Sequence, residues 1–325
     1  MTGSEDKKPF VLEEYNNVSV FTKDLPKDTV QDLTKDELTE WSPFKTWITT
    51  LTASLALQNH ASHPDHKDPY KLHDITIDSY TRFANKRIGF LKLTANVSKA
   101  NTPQVTLPGT IFLRGPSVAM LVVLIPAADR SDADHDDDDD NNAHVLLTVQ
   151  PRIATGSLAF VELPAGMMDA DSNFAGKAAQ EIKEELGLVI KEDELICLTD
   201  KVAEIRKSRR AKEKNTSTTT ASTGAAATPA EERLPFAMYP SAGGCDEYIK
   251  IFAHEKRVSR EQLREWQGKL TGLRDQGEMI TLKVVPLEDL WLEGGMDSKA
   301  LAALTMYTQL KQWEKKTQQQ HGRLS

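Results

Sequence analysis

Leu163–Leu188, LPAGMMDADSNFAGKAAQEIKEELGL, is the stretch on which the reading of this chain turns. A loop containing Pro164 and Gly166 runs into a segment with Ala178, Ile182 and Leu186 at helical spacing, and Gly187 supplies a helix stop. On that helix Glu181, Glu184 and Glu185 fall at i, i+3 and i+4, so the spacing predicts three carboxylates on one face. Like charges so placed repel and weaken a helix. A hard divalent cation such as magnesium, which prefers carboxylate oxygens, would remove the repulsion. The plainer alternative is a solvated acidic face with the apolar residues buried opposite.

Upstream of this stretch the chain is rich in strand-like runs: TIFLRG from Thr110, VAMLVVLI from Val118, HVLLTVQPR from His144 and SLAFVELP from Ser157. Four such runs with short turns predict a mixed or antiparallel sheet. Before them, Asp36–Leu57 reads as one or two helices with Pro43 at the start of the second, and Ile75–Thr81 and Ile88–Asn96 read as strands. Trp41, Phe44 and Trp47 form an aromatic stripe that suits a core or an interface better than a base-stacking platform. Downstream come PSAGGCDEYIKIFAHE, the helical SREQLREWQGKL, the loop TGLRDQGE and the strand MITLKVVPL. A long helix follows, with Leu301, Leu304, Met306, Leu310 and Trp313 expected on its apolar face. This order predicts helices packed on a mixed sheet in three layers.

Two biased segments interrupt the order. Asp129–Asn142 is an acidic tract that lacks the central Gly and terminal Glu of a calcium loop, and it reads as a solvated extension. Lys207–Arg233 is rich in Thr, Ser and Ala and reads as a solvated linker. The expected organisation is an N-terminal region over 1–107, a main domain over 108–316 carrying both inserts, and a disordered tail over 317–325.

The formal charge of −8 says little about partners, because seven aspartates between Asp132 and Asp140 account for almost all of it. No dense basic and aromatic surface occurs outside Lys207–Lys214, so no nucleic-acid partner is expected. Two cysteines, Cys197 and Cys245, make no disulfide framework and fit a reducing compartment. No apolar run approaches the ~20 residues that span a bilayer, so no membrane partner is expected. The N-terminus lacks a secretory core and is acidic early, which leaves the cytoplasm as the expected location, with the nucleus as the alternative.

Gly166, Glu181, Ile182, Glu184, Glu185, Gly187 and Leu188 match in register the signature of the Nudix hydrolases, which the chain resembles. Two positions depart from it: Gln180 stands where the signature has Arg, and Ser172, beside Asp171, where it has a loop Glu. Beyond the signature, LPAGM, FLRG (Phe112–Gly115), QPR (Gln150–Arg152), PSAGGCDE (Pro240–Glu247) and TGLRDQGE (Thr271–Glu278) resemble segments of the ADP-sugar diphosphatase branch. The likeness spans roughly Thr110–Lys311. It implies an α+β fold, a Nudix α/β/α sandwich with a mixed sheet between helices, preceded by an N-terminal α+β extension. It also implies a homodimer.

By the same resemblance Glu181 and Glu185 are metal ligands, helped by Glu184 and the Ala165 carbonyl, and the cation is magnesium, with manganese as a substitute. Glu278 is a metal ligand or the general base, Asp275 is the alternative base, and Glu184 and Glu185 belong to the catalytic group. Arg114 and Arg152 contact the substrate, for which a guanidinium offers a planar set of donors. Glu162 holds a ribose hydroxyl or the outer shell of the metal. Ser241, Gly243, Gly244 and Glu247 form a turn facing the terminal sugar. Cys245 reads as a packed residue and not a nucleophile. The implied reaction is metal-dependent hydrolysis of the diphosphate of a nucleotide-sugar substrate, ADP-ribose or ADP-glucose, to AMP and a sugar phosphate. The alternative is a non-catalytic module that binds a nucleotide sugar as a sensor.

Overall fold

A computed structural model of the chain describes residues 9–22, 33–127, 142–168, 173–217, 232, 234–273 and 279–322, without the side chains of 214–217 and 320–322. Two units are distinguished. The first comprises Met1–Pro116, Thr216–Pro235 and Ser241–Glu247, and the second Ser117–Asn215, Phe236–Pro240 and Tyr248–Ser325.

The first unit is a six-stranded sheet with two helices. Its elements are β1 (Phe10–Leu12), β2 (Val18–Thr22), α1 (Lys35–Glu40), α2 (Ser42–Ala56), β3 (Tyr70–Arg82), β4 (Ile88–Lys99), β5 (Thr106–Leu107) and β6 (Thr110–Leu113). The strand order is β1-β2-β3-β4-β5, with β6 also on β4, and only β2 and β3 run parallel. Thr34 and Glu37 close a reciprocal capping box on α1, and Pro43 opens α2. Leu38, Phe44 and Ile48 bury against Val20, Ile75, Ile77, Leu91 and Leu93, with Trp41 and Trp47 packed at the margin. The aromatic stripe is therefore core. β6, read from the sequence beside the next three strands, is hydrogen-bonded to β4 instead. Its single buried residue, Leu113, completes this smaller core.

The second unit carries an eight-stranded mixed sheet. It contains β7 (Ser117–Pro126), β8 (His144–Arg152), β9 (Ser157–Glu162), β10 (Ala165–Met167), α3 (Phe174–Glu181), β11 (Ile196–Cys197) and α4 (Leu198–Ser217). Then come β12 (Ile249–Val258), α5 (Arg260–Trp266), β13 (Leu270–Thr271), β14 (Ile280–Pro286), α6 (Leu290–Glu293) and α7 (Ser298–Gly322). The order is β11-β12-β7-β8-β14-β13, with β10 on β7 and β9 on β8, and only β12 and β7 are parallel.

β7 explains the layering. After Ser117 it is apolar at every position, as a strand covered on both faces must be. Ala119, Leu121, Val123 and Ile125 point to one core with Val145, Leu147, Leu198 of α4, Leu290 of α6 and Ala300, Ala303, Tyr307 and Leu310 of α7. Val118, Met120, Val122 and Leu124 point to the other with Leu146, Ala178 of α3, Ile182, Leu186 and Trp266 of α5. The α+β architecture with helices on both sides of a mixed sheet is thus present.

Two helices differ from the sequence reading. On α7 the buried face is Ala300, Ala303, Tyr307 and Leu310, while Leu301 and Trp313 are exposed. The alanines set the face because they carry no bulk between helix and sheet. α4 runs to Ser217, into the segment read as linker. Its Lys-Arg-Ala-Glu composition has high helix propensity, which outweighs the absence of an apolar face there. The rest of that insert, most of the acidic tract and the end of the tail lie outside the described residues.

Leu121 is fully buried at the centre of β7. Leu121→Ala is expected to cost about 2–5 kcal/mol of stability, read as a lowered urea midpoint at unchanged slope.

Candidate active site

The site is assembled where β9, β10 and α3 meet. Asn173 caps α3 by accepting a hydrogen bond from the Gly176 amide at 2.6 Å. After Glu181 the helix widens into one turn of π-helix over Ile182–Leu186, closed by Gly187 at φ +69°. Ile182 and Leu186 point into the core.

This widening changes the grouping read from helical spacing. Glu181 and Glu185 are both buried, whereas Glu184 is only half-buried and accepts a hydrogen bond from Gln180 Nε2 at 2.8 Å. Two carboxylates turn inward and the third stays with its neighbour on the outside. The third inward carboxylate is Glu162, at the end of β9. It pairs in register with Thr148, which places it on the same sheet face as Leu146 and α3. Glu185 feels it. Burial, then the charges of Glu181 and Glu162, hold the Glu185 carboxyl well above the usual carboxylate range, against the opposing pull of Arg152 and of the Ala165 amide.

Gly166 has a spatial role. A Cβ placed there would lie 2.0 Å from Cδ and Oε1 of Glu181. The Glu181 side chain rests on the bare backbone of the loop, so the glycine is demanded by space and not by a left-handed backbone. The neighbouring Ala165 amide donates to Glu185 Oε2 at 3.1 Å, and Thr271 Oγ1 donates to the Glu185 carbonyl at 2.5 Å.

Cations interleave the acids. Lys177 Nζ lies 2.8 Å from Glu181 Oε1, one turn back on α3. Arg152 Nε donates to Glu162 Oε1 at 2.5 Å, and Lys299 Nζ to Glu162 Oε2 at 3.0 Å. Lys299 also donates to Asp297 Oδ1 at 2.9 Å. Asp297 caps α7 through the Lys299 amide and accepts from the Leu163 amide at 2.9 Å. Lys177, Asp297 and Lys299 escaped the sequence reading. The i,i+4 spacing of Lys177 to Glu181 was a usable signal. So was a lysine in the first turn of α7, where the helix dipole disfavours a cation.

In the first unit the FLRG and PSAGGCDE segments come together. Phe112 bridges to Cys245, and its amide donates to the Gly244 carbonyl at 2.8 Å. Asp246 accepts from the amides of Arg114 and Gly115, and Glu247 faces the Arg114 guanidinium at 3.4 Å. Ser241 closes the turn by accepting from the Gly244 and Cys245 amides. Neither Gly243 nor Gly244 has a positive φ or a crowded Cβ position, so nothing within this unit demands glycine there. Burial pushes the Cys245 thiol up, which suits a packed residue. Glu278, Asp275, Ser172 and Asp171 lie outside the described residues.

The donor set suits a hard divalent cation in kind, since it is all oxygen and carries more negative charge than one buried place tolerates. It is not preformed. Among the described residues no three His, Cys, Asp or Glu side chains are grouped to hold a metal ion, because Glu181 is turned to Lys177 and Glu184 to Gln180.

No family model matches the chain. It is 32% identical over 267 residues to Nudix hydrolase 14, chloroplastic, of Arabidopsis thaliana, an alignment covering 82% of this chain and 70% of that protein. Among solved structures it is similar to an ADP compounds hydrolase, at a TM-score of 0.38 and 15% identity, over 76% of this chain and 97% of the other. The buried acidic pair on a glycine loop and the identity to the plant protein together define a class. The chain belongs to the Nudix hydrolase family. Nudix hydrolases generally use divalent metal ions. No helix among the described residues is long and apolar enough to cross a membrane.

The raised affinity of Glu185 for its proton means that folding favours the neutral carboxyl. At neutral pH, above the ordinary carboxylate range, keeping it charged works against stability. Glu185→Gln is therefore expected to raise the melting temperature of the metal-free protein, as read by calorimetry, because Gln can still accept from the Ala165 amide. Gly166→Ala is expected to displace the buried Glu181 side chain from Lys177. Its signature is a lowered melting temperature together with weakened Mn²⁺ binding in a paramagnetic titration.

Proposed function

We propose that this protein hydrolyses the diphosphate bond of ADP-sugars such as ADP-ribose and ADP-glucose, with magnesium or manganese as cofactor, releasing AMP and a sugar phosphate. The observation that carries the reading is the inward pair Glu181 and Glu185, seated on the Gly166 loop and flanked by Glu162 and Arg152. The substrate class follows from the LPAGM, QPR and PSAGGCDE segments and their resemblance to the ADP-sugar diphosphatases.

Glu181 and Glu185 would hold the cation, with Glu184 and the Ala165 carbonyl as further oxygens. The ion supplies charge neutralisation of the diphosphate and a lowered pKa for the attacking water. The chain's own part is positional. Arg152 offers the terminal nitrogens of its guanidinium to phosphate oxygens, since its Nε is taken by Glu162. In the smaller unit Arg114, its amide held by Asp246 and its guanidinium facing Glu247, is a substrate contact by the family resemblance alone. Glu278 accepts the proton of the water as its oxygen bonds to one phosphorus. The bridging P–O bond breaks with its electron pair on the departing phosphate, so AMP and the sugar phosphate are the products. Gln180 keeps Glu184 oriented by a hydrogen bond where the family signature has a charged Arg.

Release of AMP from ADP-ribose and ADP-glucose is the measurement. The wild-type protein is expected to release AMP with magnesium and to stop when EDTA is added. Glu185→Gln is expected to lower kcat by about two orders of magnitude or more. Equal rates for the two proteins would sink the assignment. Tight ADP-sugar binding without turnover would identify a sensor instead.

A further inference from the structure

Glu162 has both carboxylate oxygens engaged by cations, Oε1 by Arg152 and Oε2 by Lys299. It is almost fully buried, as is Asp297, whereas the Arg152 side chain is 40% exposed. The network therefore runs from the buried N-terminus of α7 outward to one guanidinium that reaches solvent. Among the described residues no hydrogen bond engages the terminal nitrogens of Arg152; only its Nε is used. A guanidinium gripped at Nε has lost its freedom to rotate, and its outer edge still carries four donors in a plane.

Lys299 is costly for the fold. Its side chain is only 14% exposed, and it sits in the first turn of a helix, where the macrodipole opposes a cation. Asp297 and Glu162 offset both penalties, holding the ammonium charged in spite of its burial. A core position spent on such a group, when an apolar residue would pack there without charge, is the kind of local conflict that marks functional positions.

We propose that Lys299 is a positioning residue: braced by Asp297, it fixes Glu162, and Glu162 in turn aims the Arg152 guanidinium at a phosphate oxygen of the substrate. Glu162 on this account touches neither the metal nor a ribose hydroxyl. Its two oxygens are spent on orientation. The proposal rests on the diphosphate reading above, but its test does not need turnover. The chain acts on binding of a phosphate group, so loss of Lys299 raises Kd and KM more than it lowers kcat.

The probe is ADP, followed by calorimetry, beside KM and kcat for ADP-ribose. Lys299→Met keeps the length of the side chain and removes its charge. It is expected to weaken ADP binding and raise KM about tenfold, the usual worth of a hydrogen bond to a charged group. Mn²⁺ affinity should stay within about twofold. Lys299→Arg restores most of the ADP affinity. Glu162→Gln, the second variant should Lys299→Met fold poorly, reproduces the loss. In an Arg152→Ala background Lys299→Met has no further effect on ADP affinity, because the group it positions is gone. Additive losses in the double variant overturn the proposal. So does a Lys299→Met loss that tracks Mn²⁺ affinity, or a wild-type protein that does not bind ADP. A wild type that binds ADP with these couplings but releases no AMP refutes the hydrolytic reading alone and leaves the positioning chain standing.

Discussion

One electrostatic constraint organises the candidate site: Glu162, Glu181 and Glu185 are all buried, and the charges of the first two act on the third. Burial first, and then the neighbouring charges of Glu181 and Glu162, hold the Glu185 carboxyl well above the usual carboxylate range. The surrounding structure divides the burden. Lys177 takes Glu181, Arg152 and Lys299 share Glu162, and the Ala165 amide turns to Glu185. Gly166 gives up its side chain so that Glu181 can lie on the loop. Glu185 has the Ala165 amide as its hydrogen-bond donor, with the charge of Arg152 pulling the same way. Such an arrangement is poor for stability and well suited to recruiting a cation, the trade expected where activity and stability compete.

The fold was largely legible because β7 is apolar at every position from Val118 to Pro126 and the elements on either side alternate in period. A strand that buries both faces requires helices on both sides, and the chain supplies them. What periodicity could not show was partnership. TIFL looks like its neighbouring strands, yet β6 belongs to the first sheet through pairing with β4, a contact between segments that no local pattern encodes. The apolar face expected on α7 is present in part: Leu310 is buried, and Leu304 and Met306 pack against the core. Alanines allow closer approach and complete the face, which leaves Leu301 and Trp313 outside.

The site was legible where chemistry is written in contiguous residues and illegible where it is assembled from afar. Gly166, Glu181 and Glu185 could be picked out from one stretch, and the structure gives their spacing a cause. Glu184 was grouped with them by its i+3 spacing to Glu181, but it lies beside Gln180 on the outer side of the helix while Glu181 and Glu185 are buried. Asp297 and Lys299 lie more than a hundred residues from Glu162 and carry no motif. In the smaller unit the same holds for Asp246. It braces the backbone at Arg114 and Gly115 across a similar distance in sequence, so FLRG and PSAGGCDE act as one piece.

The departure of Gln180 from the family signature can now be weighed in physical terms. An arginine there would bring both a hydrogen bond and a positive charge to the acidic helix end. Gln180 keeps the hydrogen bond, at 2.8 Å to Glu184, and lacks the charge. The charge beside the buried pair comes instead from Lys177, one turn earlier and on the inward face, against Glu181. The two duties are separated between two residues, with orientation outside and compensation inside. Lys177 is itself buried, so its ammonium and the Glu181 carboxylate depend on each other for compensation. With Gln180 at this position, Glu181 has its cation from Lys177 on its own helix and Glu184 has a neutral hydrogen-bond donor.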